Sequence, residues 1–114
     1  MKRQEMRIVL LDDALNFVRS LPQKAQEKVT YNMLKVKHGV MDSTLFKKLD
    51  NTDIWEFRTI YFGNCYRLFA FWDDGNEYLV IATHGISKKT KRVPLKEIKR
   101  AESIKKRYFE FKEK

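Results

Sequence analysis

The sequence predicts one α+β domain, in which an N-terminal strand and a helical hairpin pack on an antiparallel β-meander that is followed by a C-terminal helix. Apolar residues recur at helical spacing in the N-terminal third, and three aromatic and β-branched segments separated by turn sequences follow. A long, highly charged helical pattern ends the chain. The 114 residues suit a single domain, 1–114, and a hydrophobic fraction of 43% is enough to bury a core.

The N-terminal third predicts a strand and two antiparallel helices. The apolar run at residues 6–11 predicts the strand, and Asp12 or Asp13 is placed to cap the first helix. Gly39 is typical of the position just past the end of the second helix. The apolar stripe of that second helix consists of Ala25, Val29, Met33 and Val36.

The middle of the chain predicts a three-stranded meander. Residues 54–62, 65–72 and 77–84 are rich in aromatic and β-branched side chains, and hairpin-type turn sequences separate them. Residues 41–53 read as a linker. Pro94 then begins the C-terminal helix, because proline is tolerated in a first turn.

The positive charge is concentrated in the C-terminal part. The formal net charge is +9, and residues 84–114 hold 12 basic and 4 acidic residues, so this segment alone carries +8. A one-sided positive field attracts polyanions and is screened by salt. A solvated basic helix is the simpler alternative. Solubility requires no such excess, however, so the charge favours a polyanion or an acidic protein as partner.

Turn lengths predict how the strands pair. A two-residue loop at Gly63-Asn64 pairs Arg58 with Phe69 on the next strand. A four-residue loop in the second hairpin places His84 opposite Cys65. One β-bulge would reverse the alternation of faces, so the assignment of faces depends on regular strands.

Under this register, one face of the sheet can handle a phosphate group. Arginine forks suit phosphate oxygens, and histidine exchanges a proton near neutral pH. The polar residues predicted on this face are Glu56, Arg58, Arg67 and His84. The apolar residues predicted on the opposite, helix-covered face are Trp55, Phe57, Tyr61, Tyr66, Leu68, Trp72, Leu79 and Ile81.

Each of these polar residues also has a simpler interpretation. Glu56 and Arg58 can form an ordinary surface ion pair, which contributes little to stability. His84 can be a strand-end histidine bonded to a backbone group, and residues 88–92 can be a solvated loop. Composition and spacing alone therefore predict a basic α+β domain with an anion-binding face.

Composition excludes several other classes of protein. The lone cysteine can form no internal disulfide and no Cys/His cluster has zinc spacing, so we expect neither a metal nor another cofactor. The N-terminal apolar run is too short for a signal peptide or a membrane span. The sequence therefore predicts a cytoplasmic protein that does not associate with membranes.

Four segments carry a resemblance to a known family. They are IWEFR at residues 54–58, YRLF at 66–69, HGISKKT at 84–90 and VPLKEIKRA at 93–101. In this order and spacing the chain resembles the HigB-type, phage-derived branch of the RelE/ParE toxin superfamily. The fold of that superfamily is one strand, two helices, a meander and a C-terminal helix, which agrees with the order predicted above.

The resemblance implies the toxin of a type II toxin–antitoxin pair, which cuts mRNA on the ribosome without a metal. In that family the ribose 2′-OH attacks the neighbouring phosphodiester and leaves a 2′,3′-cyclic phosphate, which requires a base, an acid and cations. Arg67 matches a catalytic arginine that stabilises the transition state. The residues that match or adjoin phosphate-binding positions are Arg58, Lys88, Lys89, Lys91 and Arg92.

The acid–base pair is where the sequence departs from the best-known members. Those members carry two lysines on the first meander strand, where this chain has Ile54 and Glu56. Some relatives use a Glu/His pair instead. Glu56 with His84 is therefore the hypothesis for this chain.

The resemblance also implies a partner, a cognate helix-turn-helix antitoxin, with operator DNA bound only through the complex. Two other functions stay open at this point. One is a non-catalytic module of the same fold that acts on DNA gyrase, as ParE relatives do, and the other is a basic protein that only binds nucleic acid. The crowded cationic face favours the ribonuclease, because a gyrase poison needs no such cluster.

Overall fold

The computed structural model describes residues 6–73, 75, 78–88 and 92–113, and for Lys88 it describes the backbone only. Eight elements follow one another along these residues. In chain order they are β1 (Arg7–Leu10), α1 (Asp12–Ser20), α2 (Gln23–Lys37), β2 (Phe46–Lys48), β3 (Trp55–Tyr61), β4 (Asn64–Trp72), β5 (Leu79–Lys88) and α3 (Leu95–Lys112). The predicted α+β class and the order of its main elements are confirmed. Among the described residues no helix has both the length and the apolar character that a membrane crossing requires.

The five strands form one mixed sheet in the order β1-β5-β4-β3-β2. β3, β4 and β5 are the predicted antiparallel meander, and β1 pairs in parallel with β5. β2 was not predicted, since residues 41–53 were expected to be a linker. It is only three residues long, too short for an alternating pattern, and Phe46 anchors it by stacking on Phe57 with ring centroids 4.4 Å apart.

The first helix does not begin as predicted. Its N-cap is Leu11, and no side chain caps the helix, whereas Asp12 and Asp13 lie in the first turn. Carboxylates are favourable there, because the first turn of a helix carries a partial positive charge. Asp13 has a further role, since its Oδ2 accepts a hydrogen bond from Arg100 of α3 at 2.7 Å.

Helices cover both faces of the sheet, not one. On one face, α1 and α2 enclose a core in which the predicted stripe of α2 packs against residues such as Phe57, Leu68 and Val80. On the other face, Ala101, Ile98 and Tyr108 of α3 pack against a second core around Phe69 and Phe71. The polar residues predicted to form an open site therefore lie on the face that α3 partly covers.

The loop of the β3–β4 hairpin lies one residue earlier than predicted. Tyr61 pairs with Asn64, so the loop is Phe62-Gly63, and both loop residues have positive φ angles of 49° and 76°. This is the type I′ geometry that matches the twist of a hairpin. The pairing register therefore shifts by two residues, which preserves which side chains share a face. The shift does change their partners, because Arg58 lies opposite Arg67 and not opposite Phe69.

A β-bulge interrupts the pairing of β4 with β5. Ala70 pairs with Ala82 whereas Phe69 pairs with His84, so Thr83 is the extra residue. The bulge reverses the alternation in the first part of β5. Leu79 and Ile81 therefore lie in the α3 core, and their predicted place on the opposite face was wrong. His84 lies beyond the bulge, opposite Phe69 and not opposite Cys65, and it keeps its predicted face.

The C-terminal end of α3 is fixed by one buried carboxylate. Asp73 accepts hydrogen bonds from the Tyr108 hydroxyl at 2.5 Å and from Lys112 Nζ at 2.6 Å. Burial alone would raise the pKa of Asp73. The bonds from Lys112, Tyr108 and the backbone N–H of Gly75 outweigh burial and leave that pKa below its ordinary value.

Candidate nucleic-acid interface

Glu56 and Arg67 form an ion pair in the interior of the protein. Nη1 of Arg67 lies 3.0 and 2.9 Å from the two carboxylate oxygens of Glu56. The side chains are 2% and 0% exposed for Arg67 and Glu56, respectively. Two predicted catalytic residues are thus brought together, but the pair satisfies its own charges and is closed to solvent in this conformation.

Of the two arginines in this cluster, Arg58 is the more exposed. It is half-buried and lies directly opposite Arg67 across the β3–β4 ladder. Its Nε is buried and has no hydrogen-bond partner among the described residues. Like charges that face each other across a sheet repel, and the ion pair that Glu56 forms among the described residues is with Arg67, not with Arg58. An anion bound at Arg58 would offset the repulsion between the two arginines.

His84 is buried at the start of the second half of β5 and faces α3. Its Nδ1 lies 2.8 Å from the Thr83 hydroxyl, and its Nε2 lies 3.2 Å from Oε1 of Glu97. A neutral ring satisfies both contacts if Nε2–H donates to Glu97 and Nδ1 accepts from Thr83, whose hydroxyl proton is then not donated to the Phe69 carbonyl 3.3 Å away. In that arrangement His84 links the bulge in β5 to the first turn of α3.

The pKa of His84 is lowered from its ordinary value. The largest cause is burial, and the positive charge of Arg100 adds to it, while Glu97 and Asp13 act in the opposite direction. The group is therefore neutral in the folded protein at neutral pH, as a proton acceptor must be. Its exposed fraction of 1%, however, leaves no path for a substrate in this conformation.

The lowered pKa of His84 predicts an acid-sensitive fold. Below pH 6.5 the unfolded chain binds a proton at this residue and the folded chain does not, so the free energy of unfolding should fall as the pH drops from 7 toward the lower pKa of the folded state. Urea unfolding of the wild type and of His84→Gln at several pH values between 5 and 8 measures this. The variant should lose part of the pH dependence in that range. An identical slope in both proteins would contradict the protonation state assigned to His84.

The predicted phosphate-binding run after His84 is only partly described. Lys88 ends β5, and its backbone lies opposite Cys65, next to the Arg58–Arg67 pair in the ladder. Arg92 is exposed. Lys89 and Lys91 lie outside the described residues, so their placement in the site stays a prediction.

Sequence analysis did not identify Gly85 as important, but the structure shows why a glycine is needed at this position. A Cβ atom at this position would lie 2.6 Å from Cγ and 2.7 Å from Cε2 of the Phe17 ring, so α1 packs directly on the bare backbone of β5. Gly85 follows His84 immediately in one of the quoted motifs, and an isolated glycine in a strand pattern is a known signal of close approach.

Solvent access divides the predicted residues into two groups. Glu56, Arg67 and His84 are closed off, and they do not line the cavity of about 810 Å³ that lies beside α3 between residues such as Leu11 and Phe111. Arg58 is half-buried and Arg92 is exposed. Of the predicted site residues whose side chains are described, Arg58 and Arg92 are therefore open to solvent, at least in part, in this conformation. The catalytic roles of the buried group stay predictions.

The fold and the site define the class of this protein. It is a small α+β domain with a basic sheet face, on which two arginines lie opposite each other. The family model of phage-derived Gp49-like proteins (DUF891) matches residues 16–106. The chain belongs to that family. No functionally curated protein is significantly similar to it in sequence.

Solved structures of similar fold are toxins, alone or with their antitoxins. The isolated E. coli RelE toxin is 19% identical, with 89% of this chain and 97% of that chain covered and a TM-score of 0.56. A chain of the intact E. coli RelBE toxin–antitoxin complex is 18% identical, with 76% of this chain and 99% of that chain covered and a TM-score of 0.54. A chain of the RelE–RelB complex from Pyrococcus horikoshii is 12% identical, with 78% and 100% covered and a TM-score of 0.52. The RelE-like fold is thereby confirmed, whereas the HigB branch stays a prediction.

Proposed function

We propose that this chain is the toxin of a toxin–antitoxin pair and that it acts in the cytoplasm as a metal-independent endoribonuclease that cuts mRNA on the ribosome. Family membership and the RelE-like fold support the toxin part of the proposal. The ribonuclease part depends on the chemistry of the site, because a shared fold does not by itself imply a shared reaction.

The environment of Arg58 is the single observation that carries the ribonuclease proposal. The Arg58 side chain is half-buried, faces a second arginine, and has a buried Nε with no hydrogen-bond partner among the described residues. This arrangement is costly, and an anion bound at Arg58 would reduce the cost by offsetting the repulsion between the arginines. RNA supplies phosphates, and the C-terminal excess of positive charge would steer RNA to the protein. In this proposal Arg58 binds the scissile or an adjacent phosphate, with Lys88, Lys89, Lys91 and Arg92 along the backbone.

The remaining steps are assigned to the buried group. Arg67 stabilises the negative charge that develops on the phosphate, and Glu56 and His84 exchange protons with the 2′-OH and the leaving 5′-oxygen. These roles require that the Glu56–Arg67 pair separates and that α3 uncovers His84, since Glu97 of α3 holds the histidine in the described conformation. Binding energy from the ribosome-bound RNA would have to drive that change.

The proposal includes an antitoxin as partner. Solved relatives of this fold include RelE–RelB complexes from E. coli and P. horikoshii. A net charge of +9 favours an acidic surface on the partner, and neutralisation of a basic toxin is the physical task that such a partner would perform. We propose a helix-turn-helix protein, through which the complex would bind operator DNA.

Controlled expression of the wild type and of Arg58→Ala tests the function. We expect the wild type to arrest growth and to produce new 5′ ends in cellular mRNA, and the variant to lose both, because loss of one electrostatic contact to a reacting phosphate reduces the rate by about 10²-fold or more. Arg107→Ala is the matched control, since it removes the same charge from an exposed position on α3 and should keep both effects.

The other outcomes discriminate among the functions. Soluble wild-type protein that neither arrests growth nor creates new 5′ ends would exclude the ribonuclease. Arrest with a DNA-damage response and intact mRNA would favour action on gyrase. Equal cleavage by Arg58→Ala and the wild type would remove Arg58 from the site.

A further inference from the structure

We propose that Phe62, at the tip of the β3–β4 hairpin, is a platform on which a base of single-stranded RNA stacks. This inference rests on the proposed function and adds a base-binding position to the phosphate-binding one. A sequence-tolerant stacking contact combined with nearby cations is the usual way in which proteins hold single-stranded nucleic acid.

Phe62 is exposed and its backbone is strained. Its side chain is 86% exposed, and its φ angle is 49°. The left-handed region is unfavourable for a bulky residue, and the first loop position of a type I′ turn favours asparagine, aspartate or glycine. Neither core packing nor turn geometry therefore accounts for a phenylalanine at this position.

The other positive-φ residues in the described chain differ from Phe62. Tyr78 has a φ angle of 63°, and its carbonyl accepts the backbone N–H of Arg7 at 2.6 Å, which fixes the start of β1. Asn51 has a φ angle of 61°, which asparagine tolerates well. A structural reason is thus present at both positions, and a strained residue without one is a candidate for a functional role.

The surroundings of Phe62 fit a nucleobase followed by a phosphate. The Phe62 ring meets the Tyr61 ring edge to face with centroids 4.6 Å apart, so the exposed ring already has one aromatic neighbour. Ile60 is 61% exposed and lies on the same sheet face as Arg58. Four residues of extended strand span about 13 Å from Arg58 to Phe62, so one short stretch of RNA can contact both.

The cationic neighbourhood favours RNA over a protein as the occupant. An apolar tip of only two exposed side chains is small for a protein-binding surface. It stands at the end of the strand that carries the half-buried Arg58, whose buried Nε has no partner among the described residues. An aromatic ring beside a cation can bind a base and its phosphate together. An apolar side chain of a protein partner would gain no binding energy from the arginine.

Binding of a short single-stranded oligonucleotide that lacks 2′-OH groups tests the proposal without cleavage. Fluorescence anisotropy should show that Phe62→Ala weakens binding by about 5- to 100-fold, because stacking of a single base contributes about that much. Phe62→Trp should retain the affinity, and its added indole fluorescence should be quenched by the oligonucleotide. Phe111→Ala removes another phenylalanine that is 79% exposed, far along α3, and should bind like the wild type.

Phe62→Asn separates a functional role from a structural one. Asparagine suits the positive φ, so this variant should melt about 2–4 °C higher than the wild type while it binds the oligonucleotide as weakly as Phe62→Ala. A lower melting temperature together with weaker binding would indicate a structural residue and would overturn the proposal.

Two further outcomes would also overturn the stacking role while leaving the proposed function to its own test. One is weaker binding by Arg58→Ala together with wild-type binding by Phe62→Ala. The other is unchanged oligonucleotide binding by the Phe62 variants together with lost association with ribosomes or antitoxin, which would make the tip a protein contact. Cleavage of cellular mRNA is measured separately, so failure of the stacking role and failure of the ribonuclease give different results.

Discussion

Arg67→Ala is expected to lower the free energy of unfolding by about 3–5 kcal/mol, because it leaves the carboxylate of Glu56 buried without its counter-charge. That is a large share of the stability of a small domain, which is typically about 5–15 kcal/mol. Urea denaturation followed by circular dichroism measures the effect. Glu56→Ala should lower the free energy of unfolding by a comparable amount, since it leaves the Arg67 guanidinium buried without its carboxylate partner.

The double variant Glu56→Leu/Arg67→Met is the control. Removal of both charges should recover most of the lost stability, because a buried ion pair can often be replaced by apolar residues of similar size without penalty. A double variant as unstable as the sum of the single variants would mean that the pair is not coupled. These stability measurements also matter for function. Inactivity of Arg67→Ala is evidence for a catalytic role only if the variant is folded. Arg58, which is half-buried, is the safer first variant.

Gly85→Ala is expected to lower the free energy of unfolding by about 1–3 kcal/mol or more. The new methyl group would lie 2.6 Å from Cγ of Phe17, so the helix α1 must move away from β5 or the ring must leave its position. Thermal melting should show the loss as a decrease of several degrees.

A second substitution distinguishes overpacking from other causes. Phe17→Leu alone should destabilise the protein modestly, but in the Gly85→Ala background it should make room for the methyl group and restore part of the stability. Such non-additivity is expected for residues in direct contact. Strictly additive losses would indicate that Gly85 is needed for its backbone freedom and not for the close approach of α1.

The sequence predicted the main elements because their signals are local. The apolar stripe of α2 and the aromatic strands of the meander can each be recognised within a short stretch of sequence. The shared face of Glu56, Arg58 and Arg67 was also predicted correctly, although the loop was placed one residue late and the pairing partners were two residues off. An even shift of register leaves each side chain on its face, so the error changed partners and not faces.

The bulge at Thr83 could not be predicted, because nothing local in the strand sequence marks it. It moved Leu79 and Ile81 to the α3 face and so gave that face a core of its own. The burial of the Glu56–Arg67 ion pair could not be predicted either, and for a similar reason. Whether a carboxylate and a guanidinium meet in solvent or under a helix depends on how α3 packs, which is decided by contacts between distant parts of the chain.

Two of the motifs that carried the family resemblance, at residues 54–58 and 66–69, consist largely of core residues. Ile54, Phe69, His84 and Ala101 are all almost completely buried, and so are Glu56 and Arg67. Such residues define how the sheet and α3 pack. The resemblance is therefore a strong predictor of the fold and a weaker predictor of the chemistry, which agrees with what the comparisons establish.

The parallel pairing of β1 with β5 has a consequence for how the molecule assembles. Arg7 lies beside Leu79, so the edge of the sheet joins residues 72 positions apart in the chain. Closing so long a loop costs conformational entropy before any contact compensates for it, and non-local pairing of this kind slows folding. A nascent chain holds its first strand without a partner until β5 has left the ribosome. The last strand made thus completes the sheet that the first strand began.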